Sequence, residues 1–182
     1  MSQINSSTEM LALLQDIQTR SQQSAAKLSQ QDDLHGSWTA IGFRIAEQHF
    51  LVPLSEAREI FTVPSQITTV PKSAPWVYGI ANLRGELLPL FDLKYFLYGT
   101  STKINKRSRI VVNNHPHLYS GLLLDEVFGL KHFHEEPTLH ENLSDNEVSA
   151  YITGSIAQQD MQWNVFSFDK LAADLRFLNA AA

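Results

Sequence analysis

Histidines are the side chains with the most obvious chemistry in this sequence. Seven occur in 182 residues. Two pairs, His115 with His117 and His132 with His134, are spaced so that in a strand both imidazoles would point to one face, the beginning of a metal site. Neither pair has a third ligand at a short strand or helix offset, and Pro116 puts the first pair in a turn, so surface histidines and no metal are expected. Catalysis has no better footing. There is no G-x-S-x-G elbow, no G-x-G-x-x-G or G-x-x-x-x-G-K-[ST] phosphate loop, and no pair of carboxylates in an apolar setting that would divide acid and base roles. The reading is a non-enzyme without a cofactor. What remains is a guanidinium. Arg84 and Gly85 separate two short apolar runs, residues 79–83 and 87–91, the pattern of a β-hairpin that holds Arg84 outward at its tip. Such a group either stays solvated or recognises a carboxylate on a partner.

The elements that must position this hairpin can be read on either side of it. Gly85 takes φ > 0 without steric cost, so the chain can reverse there. Pro89 lacks an N–H, which predicts that its strand lies at a sheet edge or ends soon after, and Asp92 is placed to cap a short helix over residues 93–97. Upstream, Ile41, Phe43 and Ile45 alternate with Gly42 and Arg44, and residues 49–52 resume the pattern after a turn at Glu47 and Gln48. Glu59 stands between apolar Ala57 and Ile60, in a stretch that continues as β-branched residues as far as Val70. Pro71, Pro75 and Trp76 predict a loop and a one-turn helix, with Trp76 and Tyr78 anchoring it against the core.

Downstream, further strands are expected at residues 110–112, 118–124, 127–133, 148–157 and 163–168, with residues 135–147 as an acidic exposed loop. A last helix over residues 171–178 would be capped by Ser167 or Asp169. Many short strands at intervals of roughly ten residues indicate small closed barrels. Before them, the Ser6 and Glu9 capping box and the stripe Met10, Leu13, Leu14, Ile17, Ala25 and Leu28 predict an amphipathic helix over residues 7–30. It is followed by a linker at residues 31–37. The organisation is thus an N-terminal extension, residues 1–36, and one domain, residues 37–178.

Composition narrows the partners. A net charge of −5 opposes a nucleic-acid partner, because counterion release needs clustered Lys and Arg and the longest basic cluster, residues 103–109, is short. That counts against the alternative of an OB-like nucleic-acid-binding barrel. No run approaches the ~18 to 20 apolar residues of a membrane span. The opening MSQINSSTEM has neither the basic flank nor the apolar core of a signal peptide, and the chain has no cysteine. A cytoplasmic protein without direct membrane insertion is the expectation.

Taken together, G-x-x-N-L-R-G-x-x-x-P-x-x-D-L at residues 79–93, the Ala57, Glu59 and Ile60 segment, Pro71 and Pro75, and then Gly121, Asp125 and Val127 form an ordered set. This set resembles the CheW-like adaptor family of bacterial chemosensory arrays, and the resemblance extends from Trp38 to Leu178. Within the family the chain is most similar to the twitching-motility type. The resemblance implies a mainly β fold of two five-stranded, SH3-like barrels sharing an interface, beside the N-terminal helical extension and the C-terminal helix. It also implies two partners: the cytoplasmic tip of a chemoreceptor and the regulatory domain of a CheA-type histidine kinase. Residue by residue it places Ala57, Glu59, Ile60, Gly79, Asn82 and Arg84 on the receptor-facing side. It assigns no kinase-facing residue, and it leaves Leu122, Leu124 and Val127 as barrel core. Glu59 would then hold the Arg84 fork in one orientation or share it with a partner carboxylate.

Overall fold

A computed structural model describes residues 38–116, 118–139, 147–158 and 160–180. The expected N-terminal helix and its linker, His117, and residues 140–146 of the acidic loop lie outside them. The chain begins with β1 (Trp38–Ile45), β2 (Gln48–Pro53), a single 3-10 turn at Leu54–Glu56 and β3 (Ala57–Thr62). The hairpin strands β4 (Val77–Leu83) and β5 (Glu86–Asp92) lead into α1 (Leu93–Tyr98), and β6 (Arg109–Asn113), β7 (Gly121–Leu124) and β8 (Glu126–Phe133) follow. A two-residue strand β9 (Thr138–Leu139), a 3-10 turn at Ser149–Tyr151, β10 (Ile152–Gln158), β11 (Met161–Phe166), α2 (Phe168–Ala173) and α3 (Leu175–Leu178) complete it.

The strands form two mixed sheets, ordered β8-β1-β2-β11-β10-β9 and β3-β6-β7-β5-β4. Each contains one parallel pair, β2 with β11 and β5 with β7. Three clusters of buried side chains explain the arrangement. The largest is shared between the sheets and joins Ile41, Phe43, Ile45, Phe50 and Phe166 to Val111, Leu122, Leu124, Phe168 and Phe177. Ala81, Leu88, Leu90, Ile110, Val112 and Leu123 fill the other face of the five-stranded sheet, and Ala40, Leu51, Phe133 and Trp163 the other face of the six-stranded one. Consecutive residues such as Ile110 and Val111 therefore face different cores, and the central strands read as continuous apolar runs because both faces are covered.

Each sheet also curls until its two sides meet. In the five-stranded sheet the tip of the β4–β5 hairpin reaches Glu59 and Phe61 of the opposite edge strand β3. In the other, Gln158 Nε2 at the end of β10 donates to the carbonyl of His132 in edge strand β8 at 3.1 Å. The two β subdomains expected from the resemblance are present, with a sixth strand, β9, added to one of them.

Several local expectations are corrected. β9 lies inside the stretch read as loop. Thr138 and Leu139 are both exposed, so no apolar alternation marks the strand, and it pairs through backbone with Gly154 and Ser155. A Cβ at Gly154 would come within 2.5 Å of the Thr138 carbonyl oxygen, so the bare glycine admits the strand. Of the two outcomes expected at Pro89, the strand does end soon after, at Asp92, but it is not a sheet edge: β5 lies between β4 and β7, and the parallel pairing with β7 begins only at Leu90, so the missing N–H interrupts no bond on that side. The first turn falls at Ala46 and Glu47 rather than Glu47 and Gln48. Asp125 Oδ2 accepts from Ala46 N at 2.7 Å and Arg44 Nη1 donates to the Ala46 carbonyl at 2.5 Å, contacts that the local sequence does not announce. At Pro75 and Trp76 there is one turn, closed by Val77 N to the Ala74 carbonyl at 2.9 Å, instead of a helix. The β-branched residues beyond Thr62 form no continuous strand. Thr68 alone bridges to Ile80.

Asp92 caps α1 as expected, accepting from Tyr95 N at 3.1 Å, and Gly99 ends the helix with φ 66. The C-terminal helix is broken into two. Ser167 caps α2 through Lys170 N, while Asp174 takes an extended conformation and caps α3 through Arg176 N at 2.7 Å. A short carboxylate that bonds its own downstream backbone competes with helix continuation. Asp174 also accepts the hydroxyl proton of Tyr151, whose pKa is pushed up from 10.0 to about 12 by burial and by that bond.

Between those values the folded chain keeps a proton that the unfolded chain has released. Stability contributed below pH 10.0 is therefore lost as pH rises toward about 12. Tyr151→Phe is expected to lower stability by about 1 kcal/mol at neutral pH and to flatten the decline between about pH 10 and 12, read from urea unfolding midpoints across that range.

Candidate functional site

The hairpin tip is a two-residue turn with both central residues left-handed, Arg84 at φ 55 and Gly85 at φ 90. This is the primed turn whose twist matches the flanking strands. Gly85 accepts the conformation freely. Arg84 does not, and Asn82 helps hold the turn by accepting from Gly85 N at 2.8 Å. Across the seam, a bulge in β3 pairs Ala57 with Asn113 and Glu59 with Val112, leaving Arg58 as the extra residue. Glu59 and Phe61 consequently face the tip. Arg84 Nη1 lies 2.5 Å from Glu59 Oε1, and the guanidinium sits 5.2 Å from the centre of the Phe61 ring.

The pair remains in water, with 74% of the Arg84 side chain and 35% of Glu59 exposed. An exposed pair of this kind adds little stability, about 0 to 1 kcal/mol. Its value is orientation, because a stacked and paired guanidinium presents its remaining donors in a defined direction.

A second polar unit stands beside the first. The Tyr119 hydroxyl donates to Glu86 Oε2 at 2.6 Å, and Arg58 lies 5.5 Å from the centre of the Tyr119 ring. Glu86 accepting that proton raises the Tyr119 pKa above its ordinary value. The two units, with Leu83 and Val112, line one concavity of about 200 Å³. Arg58, Glu86 and Tyr119 carry no signal as a site in the sequence. Tyr119 is brought to Glu86 from 33 residues away by the loop before β7, which local patterns do not report.

The six residues singled out by the motif separate into groups. Glu59 and Arg84 meet, and Asn82 supports their turn. Ile60 is 38% exposed, opposite Val111 on the other side of β3, whereas Ala57 is buried in the shared core. Gly79 is also buried, at φ 143, where a Cβ would come within 2.6 Å of both the Thr68 carbonyl oxygen and Ile67 Cγ2. Ala57 and Gly79 thus shape the backbone rather than offer a surface. Of the histidines, His132 shares a 3.1 Å hydrogen bond with Thr39 Oγ1, and among the described residues no three His, Asp or Glu side chains gather to hold a metal. None of the described helices is long and apolar enough to cross a membrane.

The architecture has a solved counterpart. Scaffolding protein TtCheW from Thermoanaerobacter tengcongensis matches with a TM-score of 0.60 over 71% of this chain and 88% of its own, at 22% identity, which establishes the shared fold. The CheW-like domain family matches residues 39–176. Protein PilI of Pseudomonas aeruginosa is 37% identical over 171 residues, 93% of this chain and 94% of that protein. Chemotaxis protein CheW of Helicobacter pylori is 31% identical over 144 residues, 78% of this chain and 86% of that protein. The chain belongs to the CheW-like domain family.

The buried glycine and the exposed ion pair separate stability from surface chemistry. Gly79→Ala is expected to cost at least ~2 kcal/mol, because neither the backbone angle nor the Thr68 carbonyl can yield cheaply. Arg84→Ala should change stability by less than about 1 kcal/mol. Urea unfolding midpoints of the two variants check the contrast.

Proposed function

We propose that this protein is a non-enzymatic cytoplasmic adaptor that couples a methyl-accepting chemoreceptor to a CheA-type histidine kinase, in the chemosensory system controlling type IV pili and twitching motility. The observation that carries this reading is the 37% identity to PilI across nearly the whole of both chains. The adaptor acts by binding geometry. It holds receptor and kinase in one assembly at the inner membrane through its protein partners, so that a change in the receptor alters kinase activity through coupled interfaces and no phosphate passes through the chain. The hairpin tip is the receptor-facing element: Arg84 and Glu59 form the recognition pair, Asn82 maintains the turn, Ile60 adds an exposed apolar side chain on the other face of β3, and Ala57 and Gly79 support the backbone. The regulatory domain of the kinase docks on a different face.

The identity to CheW of Helicobacter pylori supports a second reading, an adaptor of a flagellar chemotaxis array, which the same hairpin would serve. The OB-like nucleic-acid barrel falls away with the family assignment.

Co-sedimentation with the cytoplasmic fragment of a receptor and with the kinase tests the proposal. Wild type is expected to enter the complex. Arg84→Ala should weaken receptor binding by about 2 kcal/mol, roughly 30-fold, if the guanidinium is desolvated at the centre of the interface. Glu59→Ala should weaken it as well, because Arg84 loses its orientation. Failure of wild type to bind either partner would end the adaptor reading. Variants binding as tightly as wild type would remove only the assignment of the hairpin tip.

A further inference from the structure

The concavity beside the hairpin tip contains two arginines and two glutamates, and its formal charge is zero. Its hydrogen-bonding capacity is not balanced. Glu59 is engaged by Arg84, and Glu86 by the Tyr119 hydroxyl. Arg58 has no carboxylate or carbonyl acceptor among the described residues; what holds it is the face of the Tyr119 ring. A guanidinium stacked on an aromatic face keeps its planar donor edge free to bond in two places at once.

The bulge explains why Arg58 stands there. As the extra residue between Ala57 and Glu59, it leaves the strand alternation and turns toward the loop that carries Tyr119. Tyr119 then has two tasks. Its ring carries Arg58, and its hydroxyl occupies Glu86, the nearby acceptor that would otherwise compete for the arginine.

We infer that this concavity receives a carboxylate side chain of the bound receptor, that Arg58 is the residue that takes it, and that Tyr119 is the positioning residue that keeps Arg58 available by occupying Glu86. The inference rests on the receptor-facing reading of the hairpin tip and extends it to three residues outside the family motif. It makes Arg58 a determinant of which receptor is chosen, since Arg58, unlike Arg84, has no carboxylate partner among the described residues of this chain.

The sign of one substitution separates this role from a structural one. Tyr119→Phe keeps the ring under Arg58 but releases Glu86, so it should weaken binding of a receptor cytoplasmic fragment several-fold. Adding Glu86→Gln to Tyr119→Phe should restore it. Arg58→Gln should weaken binding about tenfold and reduce its salt dependence, because a charged contact is lost. Binding is measured by titration at two ionic strengths, with Arg84→Ala in parallel. If Arg84→Ala weakens binding while Arg58→Gln stays within twofold of wild type, the inference is wrong and the receptor-facing hairpin stands. If Tyr119→Phe weakens binding and Glu86→Gln does not rescue it, the positioning role of Tyr119 is wrong. If wild type does not bind the fragment, the receptor-facing reading fails and this inference fails with it.

Discussion

The apolar layer between the two sheets is the constraint on which the rest of the molecule depends. Phe43, Phe50, Phe166 and Phe168 from one side meet Val111, Leu122 and Leu124 from the other, and all are wholly buried. Ring pairs such as Phe43 with Phe50 and Phe50 with Phe166 lie 5.5 and 5.9 Å apart, within the range of favourable aromatic contact. The chain has to cross this layer. It passes from one sheet to the other at Leu54–Glu56 and returns between Leu124 and Glu126. A carboxylate fixes each crossing. Glu56 accepts from Phe168 N at 2.5 Å and Asp169 N at 3.2 Å, and Asp125 accepts from Ala46 N at 2.7 Å while Lys94 approaches to 3.2 Å. For Glu56 the burial needed to make these bonds dominates, raising its pKa even though the backbone donors favour the charged form.

Fixed crossings leave the outer seams as the places where polar chemistry can stand in water. The β3 edge and the β4–β5 tip come together because the five-stranded sheet curls around Leu88, Leu90, Ile110 and Leu123. Curvature therefore creates the contact between Arg84 and Glu59, which adds little to the stability of the fold that brings it about. The same is true of Tyr119 and Glu86. Both units are exposed and both depend on backbone irregularities, a left-handed turn at Arg84 and a bulge at Arg58. Regular strands would have pointed these side chains elsewhere.

What could be read from the sequence follows the range of the interactions involved. The hairpin, the Asp92 cap and the alternation of Ile41, Phe43 and Ile45 are each determined within a few residues, and all three are found where the local pattern puts them. The family motif also brought out Glu59 and Arg84, residues 25 positions apart that no local rule connects. β9 and the position of the first turn are decided by contacts from distant segments, Gly154 against Thr138 and Asp125 against Ala46, while at Asp174 a local bond to Arg176 N is joined by a distant one from Tyr151. Tyr119 and Arg58 escaped for the same reason. The sequence pattern predicts Tyr119 in a strand over residues 118–124, whereas β7 begins only at Gly121 and Tyr119 lies in the loop before it, so nothing local sets its ring beside Arg58.

Glu56 and Glu59 illustrate how closely the fold brings its structural and surface roles together. Glu59 faces the seam and meets Arg84, while Glu56, three residues earlier, leaves the same segment in the other direction to hold the start of α2. Between them Ala57 is buried in the shared core, so the segment cannot shift at one end without disturbing either the core or the cap at the other. On the adaptor reading, a receptor that pulls on Glu59 acts on a strand that follows directly on Glu56, whose side-chain carboxylate accepts from two backbone N–H groups at the start of α2. Coupling of this kind needs no large motion. It needs a partner that binds two arrangements of β3 with different affinity, because only a difference in binding free energy can shift their populations.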